Sequence, residues 1–165
     1  MWSDRLNRKY GVFLLTCSIV VPLDQLTKLY ISSIMALHES FTVIPGIFNI
    51  AHVRNPGAAF GFLAQASAPF RSIFFTAVGI AAIGVIFYLL KKVKDDEFFL
   101  VLPLSLVLSG ALGNLIDRIR LGEVIDFLDF HIGPHHWPAF NVADSAISVG
   151  AILLIYFILH KKKTT

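Results

Sequence analysis

Four long apolar stretches, separated by polar segments, dominate the chain. Two of them, Ile73–Leu90 and Phe98–Ile116, contain no charged residue. A helix needs about 20 apolar residues to cross a bilayer, because lipid offers no partner to a backbone group outside the helix itself. Gly11–Leu37 and Asn141–Leu159 also qualify, although each carries a few polar residues. The pattern therefore predicts four membrane-spanning helices, over about 11–37, 70–90, 98–117 and 141–160.

The segments between the spans favour extended chain. Phe41–Asn55 has β-branched and aromatic residues on both sides of Pro45 and Gly46, which is typical of two strands joined by a turn. Gly122 interrupts the end of the third span, and Val124–His131 again favours a strand. We expect this strand to pair with the first two, because an isolated strand edge is unstable at a membrane surface.

A short helix is expected before the second span. Asn55, Pro56 and Gly57 end the strand, and Ala58–Ala66 has the composition of an amphipathic helix lying on the membrane surface. The predicted fold class is an all-α membrane protein: a four-transmembrane-helix bundle with a small extracytoplasmic β-sheet and a short interfacial helix. Segments of about 38–69 and 118–140 are assigned to the outside, within a single domain spanning 1–165.

Composition and charge agree with this pattern. Of the 165 residues, 56% are hydrophobic and 15% charged, and the mean hydropathy is +0.72, far too apolar for an ordinary soluble domain. Cytoplasmic flanks collect Lys and Arg, so both termini are predicted to be cytoplasmic. The basic residues that carry this prediction are Arg5, Arg8, Lys9, Lys91, Lys92, Lys94, Lys161, Lys162 and Lys163. The net charge of +3 therefore reflects membrane orientation, and no nucleic-acid partner is expected.

The first span raises the question of processing. Its basic start and apolar run are similar to a cleaved signal peptide, but the run continues past Asp24 without a small-residue cleavage site. The single cysteine, Cys17, lies in an apolar stretch and cannot form an intramolecular disulfide. Its surroundings are faintly similar to a lipoprotein cleavage box, but Thr16 is a poor match and three spans follow. We therefore expect a mature helix.

Polar residues gather at the depth that this topology assigns to the outer membrane surface. A charged residue within a span costs about 2.5–3.5 kcal/mol, so it usually faces a polar interior or serves a function. The residues that fall in this layer are Asp24, Lys28, Asn55, Asn114, Asp117, Asp126, Asn141 and Asp144. Their coincidence at one depth predicts a polar cleft at the outer face.

Several of these residues also have an ordinary structural explanation. Asp24 and Lys28 are four residues apart on a helix, and we expect them to form an ion pair bordering the cleft. Asn114 suits an interhelical hydrogen bond. Solvation at the interface would explain Asp117, and Arg118 would then reach towards the headgroups.

The start of the fourth span has two interpretations. Asn141 and Asp144 fit an N-cap and an acidic first-turn residue, which satisfy orphan amides and the positive end of the helix dipole. Alternatively, Asp144 is one of two catalytic carboxylates. Two aspartates sharing a water can hydrolyse a peptide when one is ionised and the other protonated, without a covalent intermediate. No metal or cofactor is required for this chemistry.

Other catalytic arrangements fit the sequence less well. The external residues Asp129, His131, His135 and His136 are possible zinc ligands, but their spacing matches no helical metal motif, so solvated loop histidines are expected. No Gly-rich phosphate loop or G-x-S-x-G elbow is present. A pairing of Lys28 with one of two serines, Ser32 or Ser145, is conceivable, although no spacing favours it.

Two other functions compete with peptide hydrolysis. A small transporter or proton channel would need polar residues through the full depth of the bundle. The second and third spans are apolar through their inner halves, which disfavours such a path. A structural membrane subunit with solvated interfacial charges is the second rival.

Five ordered motifs resolve this choice, because together the chain resembles the lipoprotein signal peptidases, or signal peptidase II, along nearly its whole length. The motifs are "DQLTK" at 24–28, "NPGAAFGF" at 55–62, "GNLIDR" at 113–118, "VIDF" at 124–127 and "FNVADS" at 140–145. The resemblance implies an aspartic endopeptidase of the bacterial cytoplasmic membrane. Such an enzyme removes the signal peptide of a prolipoprotein by cutting just before a diacylglyceryl-modified cysteine.

The resemblance also implies roles for individual residues. The catalytic aspartates of the family correspond to Asp126 and Asp144. The substrate-binding or site-supporting positions correspond to Asp24, Lys28, Asn55, Gly57, Asn114, Asp117, Arg118 and Asn141. Diacylglyceryl prolipoproteins, membrane lipids and cyclic peptide inhibitors of the globomycin class are the implied partners, and a monomer with its site at the extracytoplasmic face is expected.

Overall fold

Four α-helices and four strands make up the part of the chain that this computed structural model describes, residues 2–57, 63 and 66–160, with side chains described from residue 8. In chain order they are α1 (Trp2–Ile34), β1 (Ser40–Ile44), β2 (Phe48–Asn55), α2 (Ala68–Lys92), α3 (Val101–Leu121), β3 (Val124–Ile132), β4 (His135–His136) and α4 (Val142–His160). A 3₁₀ helix, Asp95–Leu100, leads into α3.

The four predicted spans are confirmed as helices that are long and apolar enough to cross a membrane. The segments that meet this test are Arg8–Ile34, Ala68–Lys92, Asp95–Leu121 and Val142–His160. The first helix begins earlier than expected, at Trp2, because no Gly or Pro interrupts the basic segment before Gly11. It also ends three residues earlier than expected, at Ile34.

Helix α3 is the centre of the bundle, since it packs against each of the other three helices. Half of its most apolar stretch is buried, against 6% for α2. Small residues permit this close packing: a Cβ atom on Gly110 would meet the carbonyl oxygen of Ala143, and one on Gly150 would lie 2.7 Å from the carbonyl oxygen of Pro103. Helices α3 and α4 therefore approach backbone to backbone.

The four strands form one antiparallel sheet in the order β1-β2-β3-β4. The turn between β1 and β2 is closed by a 3.1 Å hydrogen bond from the Ile47 N–H to the Ile44 carbonyl, with Gly46 in the left-handed region at φ 78°. The expected pairing of β3 with the first two strands is confirmed, because β3 pairs with β2. The short strand β4 was not predicted.

Two features near the start of β3 help to hold the sheet to the bundle. Gly122 ends α3 in the left-handed conformation, φ 76°, which turns the chain directly into β3. Phe127 of β3 packs with Ile31 and Met35 at the end of α1. The predicted interfacial helix over Ala58–Ala66 lies largely outside the described residues.

Candidate active site

The site begins at the first turn of α4, where the cap interpretation is confirmed. The side-chain Oδ1 of Asn141 accepts a hydrogen bond from the Asp144 N–H at 2.9 Å. In return, the Asp144 Oδ2 accepts from the Asn141 N–H at 3.3 Å. This reciprocal capping box fixes the Asp144 carboxylate at the mouth of the helix, close to the positive end of the helix dipole.

The carboxylate of Asp126, on β3, lies beside Asn141 at the start of α4. Its Oδ1 accepts a hydrogen bond from the Asn141 Nδ2 at 2.7 Å, and its Oδ2 accepts from the Asn55 Nδ2 at 2.9 Å. The residue is only 1% exposed. Asn141 therefore contacts both aspartates, Asp126 through its side chain and Asp144 through both its side chain and its backbone.

Asn114 of α3 supports Asp144 from the other side. Its Nδ2 donates to the Asp144 Oδ1 at 2.7 Å, while its Oδ1 accepts from the Lys28 Nζ at 2.9 Å and from the Asn141 Nδ2 at 3.1 Å. The expected interhelical hydrogen bond of Asn114 is thus present. Because the amide oxygen must face Lys28, the amide nitrogen must face Asp144, so Lys28 orients this contact.

Beneath these residues lies a buried ion cluster. The Lys28 Nζ is 2.9 Å from the Asp24 Oδ2 and 2.9 Å from the Asp117 Oδ2. The predicted pair of Asp24 and Lys28 is confirmed, but interfacial solvation of Asp117 is wrong, since Asp117 is 1% exposed. The cluster also receives two backbone amides: the Ala143 N–H donates to Asp24, and the Ile125 N–H donates to Asp117. It therefore ties α1 and α3 to the starts of α4 and β3.

The charge environment separates Asp126 from an ordinary carboxyl group. Burial, and after it the negative charge of Asp144, raise the pKa of Asp126 from 3.8 to about 7. The hydrogen bonds from Asn55 and Asn141 and the charge of Lys28 act in the opposite direction. Asp126 is therefore able to carry a proton near neutral pH, as one member of a water-activating pair must.

Arg118 and Gly57 lie at the edges of this arrangement. Half-buried Arg118 interacts electrostatically with Asp144, Asp126 and Asp117. Its expected extension towards the headgroups is wrong, because the guanidinium turns back along α3, where its Nη1 donates to the Asn114 carbonyl at 3.4 Å. The Gly57 N–H donates to the Asn55 Oδ1 at 2.8 Å, which orients the Asn55 amide towards Asp126.

Gly57 also needs to be glycine. Its φ of 94° is in the left-handed region, and a Cβ atom there would overlap the ring of Phe75. This close contact brings the chain after β2 against α2.

Sequence reasoning missed two residues of the cluster. The Gln25 Nε2 lies 3.1 Å from each of the Asp24 Oδ2, the Asp117 Oδ1 and the carbonyl oxygen of Gly113. Gly113 leaves room for Asp24, because a Cβ atom there would lie 2.7 Å from the Asp24 Oδ2. Gln25 was detectable as a polar residue within an apolar span, whereas the need for glycine at 113 depends on contacts across helices.

The residues considered for a serine–lysine pair or a metal site have other contacts in the structure. The Lys28 ammonium contacts Asp24, Asp117 and Asn114. The hydroxyl of Ser145 donates to the carbonyl of Asn141 at 2.9 Å, and that of Ser32 lies 3.5 Å from the His52 Nε2. The contacts of Lys28 and of both serines are therefore with other residues. Among residues 2–57, 63 and 66–160, no group of three or more His, Cys, Asp or Glu side chains is arranged to hold a metal ion. His135 and His136 are exposed in β4, and the His136 imidazole lies against Asp129.

Comparison with known proteins gives consistent matches over almost the whole chain. The family model described as Signal peptidase (SPase) II matches residues 16–160. A lipoprotein signal peptidase of Syntrophus aciditrophicus is 55% identical over 152 residues, which cover 92% of this chain and 94% of the relative. One of Geobacter metallireducens is 48% identical over 149 residues, covering 90% and 91%.

Solved structures agree. A bacterial membrane enzyme determined by the in meso method at 2.3 Å superposes with a TM-score of 0.79 at 38% identity, covering 94% of this chain and 93% of its own. A second, at 1.9 Å, gives a TM-score of 0.77 at 39% identity, covering 94% and 95%.

Proposed function

Since the chain belongs to the signal peptidase II family, which removes signal peptides from prolipoproteins, we propose that Asp126 and Asp144 are its catalytic pair. The observation that carries this proposal is the junction at Asn141, where one residue hydrogen-bonds both carboxylates near the starts of β3 and α4. Hydrolysis of a peptide bond needs one group to accept a proton from water and another to supply one to the carbonyl.

We assign the supplying role to Asp126 and the accepting role to Asp144. The pKa of Asp126 is raised to about 7 by burial and by the charge of Asp144, which favours the protonated form. The capping amide and the helix dipole favour an ionised Asp144.

Hydrolysis then proceeds in two steps. As Asp144 takes a proton from water, the oxygen attacks the scissile carbonyl, and the proton of Asp126 moves to the carbonyl oxygen. In the second step, Asp144 returns its proton to the leaving nitrogen while the intermediate gives one back to Asp126. Both carboxyl groups thereby recover their initial states, and the peptide bond is replaced by an acid and an amine.

The surrounding residues act as supports in this proposal. Asn55, Asn114 and Asn141 hold the two carboxylates, while Gly57 orients Asn55. The ion cluster of Asp24, Lys28 and Asp117 fixes the helices from which these side chains project. Arg118 contributes positive charge beside the pair, where it stabilises the negative charge that moves from Asp144 to Asp126 in the first step.

The proposed substrate is a diacylglyceryl-modified prolipoprotein, cut just before the lipidated cysteine. Its acyl chains and signal helix lie in the membrane, so its scissile bond lies at the surface, the depth at which this chain keeps its carboxylates. Cyclic peptides of the globomycin class are proposed to bind the same site as inhibitors. One bundle contains every residue assigned above, so a monomer is the proposed active form.

The proposed location is the bacterial inner membrane, with both termini in the cytoplasm and the active site at the extracytoplasmic face. The distribution of basic residues supports this orientation, since Lys91, Lys92 and Lys94 lie at the end of the bundle opposite the sheet.

The test is cleavage of a diacylglyceryl-modified prolipoprotein by the purified protein in lipid. We expect Asp126→Asn and Asp144→Asn each to lower the cleavage rate by at least about 10³-fold, because each removes one proton-transfer group. The matched control is Asp96→Asn, which changes an exposed aspartate at the opposite end of the bundle. If either dyad variant cleaves at the wild-type rate, the catalytic assignment is wrong.

Two further arms examine the substrate and the inhibitor. The wild-type protein is expected to leave unlipidated prolipoprotein largely uncut, and globomycin is expected to block cleavage of the lipidated form. Equal cleavage of both forms would contradict the proposed requirement for lipid.

A further inference from the structure

A second polar cluster lies on the sheet, apart from the two catalytic aspartates. Its centre is Asp129 of β3, which is 9% exposed. The Asp129 Oδ1 accepts a hydrogen bond from the His136 Nδ1 of β4 at 2.8 Å, and its Oδ2 accepts from the Asn49 Nδ2 of β2 at 3.0 Å. One carboxylate thus joins three strands. We call Asn49, Asp129 and His136 the strand clasp.

The chemistry of the clasp fixes which atoms donate and which accept its hydrogen bonds. A carboxylate only accepts hydrogen bonds, so the His136 Nδ1 carries a proton in either charge state of the imidazole. Burial alone would raise the pKa of Asp129, but the hydrogen bonds from His136 and Asn49 hold it below its usual value. The His136 ring also stacks on His131, with centroids 4.6 Å apart and planes 10° from parallel. Asp129 is therefore an ionised acceptor with both partners held in place.

The clasp is connected to the active site through the chain that follows β4. Leu128 and Phe140 exchange backbone hydrogen bonds, at 2.8 Å from the Leu128 N–H and 3.1 Å from the Phe140 N–H. The next residue is Asn141, whose amide binds Asp126. The segment that carries Asn141 is therefore paired with β3 from the clasp to the site.

The clasp fixes the other support of Asp126 as well. Asn49 lies opposite Asp129 in the pairing of β2 with β3, while Asn55 at the end of β2 donates to Asp126. The register shifts between Ile50 and Val53, so the backbone ladder alone does not define how the two ends of β2 are aligned. The contact between Asn49 and Asp129 adds a side-chain constraint on the far side of this irregularity.

We propose that the strand clasp is a positioning element of the active site, which holds the amides of Asn55 and Asn141 on Asp126. It rests on the catalytic role proposed above for Asp126. The three clasp residues do not touch the substrate in this proposal. They set the geometry of the catalytic carboxylate by fixing the register of the strands on both sides of it.

The test is built on exchanging the hydrogen-bond donor and acceptor. In Asp129→Asn, the single amide oxygen cannot accept from both Asn49 and His136 in the present geometry. In His136→Asp, the new carboxylate faces that of Asp129, and neither can donate a hydrogen bond to the other. In the double variant Asp129→Asn/His136→Asp, the new amide oxygen accepts from Asn49 and the new amide nitrogen donates to the new carboxylate, which restores both connections.

We expect each single variant to lower kcat about 10-fold with KM within about 2-fold of wild type, because a small displacement of a catalytic group affects the transition state most. The double variant is expected to recover to within about 3-fold of the wild-type kcat, a non-additive result that signals direct coupling. His135→Asp, at the neighbouring exposed histidine of β4, is the matched control and should leave kcat unchanged.

A third substitution, His136→Phe, removes the donor but keeps a ring to stack on His131, and it changes a side chain that is half exposed. It should therefore fold, and it should lower kcat as His136→Asp does. Wild-type kcat in His136→Phe, or additive losses in the double variant, would overturn the proposal.

Asp126→Asn, assayed in parallel, separates the two proposals. Activity in Asp126→Asn refutes the catalytic pair itself. If Asp126→Asn is inactive while kcat is unchanged in the clasp variants, only the positioning role of the strand clasp is refuted.

Discussion

At Asp126, burial and hydrogen bonding shift the pKa of one carboxyl group in opposite directions. Both of its oxygens accept amide hydrogen bonds, which favour the ionised form. Burial and the neighbouring charge of Asp144 favour the protonated form more strongly, so the pKa rises to about 7. The result is a carboxyl group held in a fixed orientation that still exchanges its proton near neutral pH.

This balance predicts the pH dependence of cleavage. If Asp126 supplies a proton, the cleavage rate should fall as the pH rises through about 7, the raised pKa of Asp126. The measurement is kcat/KM on lipidated prolipoprotein between about pH 5 and 9, since its pH dependence reports the groups of the free enzyme. Asp96→Asn should show the same profile as wild type, and a rate that rises across this pH range would contradict the assignment of roles.

The same shift affects folding. The folded chain holds the Asp126 proton more tightly than the unfolded chain, whose carboxyl has its ordinary pKa of 3.8. The contribution of Asp126 to stability is therefore greatest below this ordinary value, and it is lost as the pH rises through about 7.

At the scale of elements, close packing of α3 with its neighbours gives the site its rigidity. Gly113 faces both Asp24 of α1 and Ala143 of α4. The Ala143 N–H, in turn, donates to Asp24 at 2.9 Å, so three helices meet within a few ångströms. A larger residue at position 113 would separate them.

Gly113→Ala should therefore reduce both stability and activity. Its Cβ atom would lie 2.7 Å from the Asp24 Oδ2 and 3.2 Å from the Ala143 Cβ. We expect a loss of about 1–3 kcal/mol in unfolding free energy, as for other overpacked sites, together with slower cleavage. Denaturant unfolding in detergent and the cleavage assay measure the two effects.

Gly84→Ala is the matched control, because nothing lies within 4 Å of its added Cβ. It should be neutral or slightly stabilising, since alanine favours a helix over glycine by about 0.5–1 kcal/mol. Equal behaviour of the two variants would show that the contact between Gly113 and Asp24 adjusts freely.

At the scale of the whole molecule, the helices direct their apolar surfaces outwards, while Asp24, Lys28 and Asp117 form a buried ion cluster near the sheet. Only 6% of the most apolar stretch of α2 and 11% of that of α4 is buried by protein, so lipid is the expected solvent of both helices. The sheet and the ion cluster share one end of the bundle.

The proposed orientation predicts which positions face each side. In a Cys17→Ser background, we expect Ile132→Cys to react with a membrane-impermeant maleimide in intact spheroplasts, because Ile132 is 81% exposed on the sheet. Lys94→Cys, exposed at the opposite end, should react only after permeabilisation. The measurement is the labelled fraction of each variant, and the reverse pattern would show the opposite topology.

The sequence alone predicted the four helices, the β1–β2 turn and the pairing of β3, because each depends on local signals: apolar length, Pro45 and Gly46, and the break at Gly122. It also predicted the ion pair of Asp24 and Lys28, which share one helix. Strand β4 was missed, because a two-residue strand has no periodicity and forms only when β3 is already beside it.

Only the tertiary structure decided how polar residues that are distant in the sequence are connected. Asp117, which was predicted to be solvated, is a buried partner of Lys28, and Gln25 connects α1 with α3. Both contacts depend on which faces of α1 and α3 meet. The sequence determined which polar residues lie near the ends of the spans, since the limits of a span depend mainly on composition and length. Packing decided that Asp126 and Asp144 share Asn141, because their hydrogen bonds require three elements to converge within ångströms.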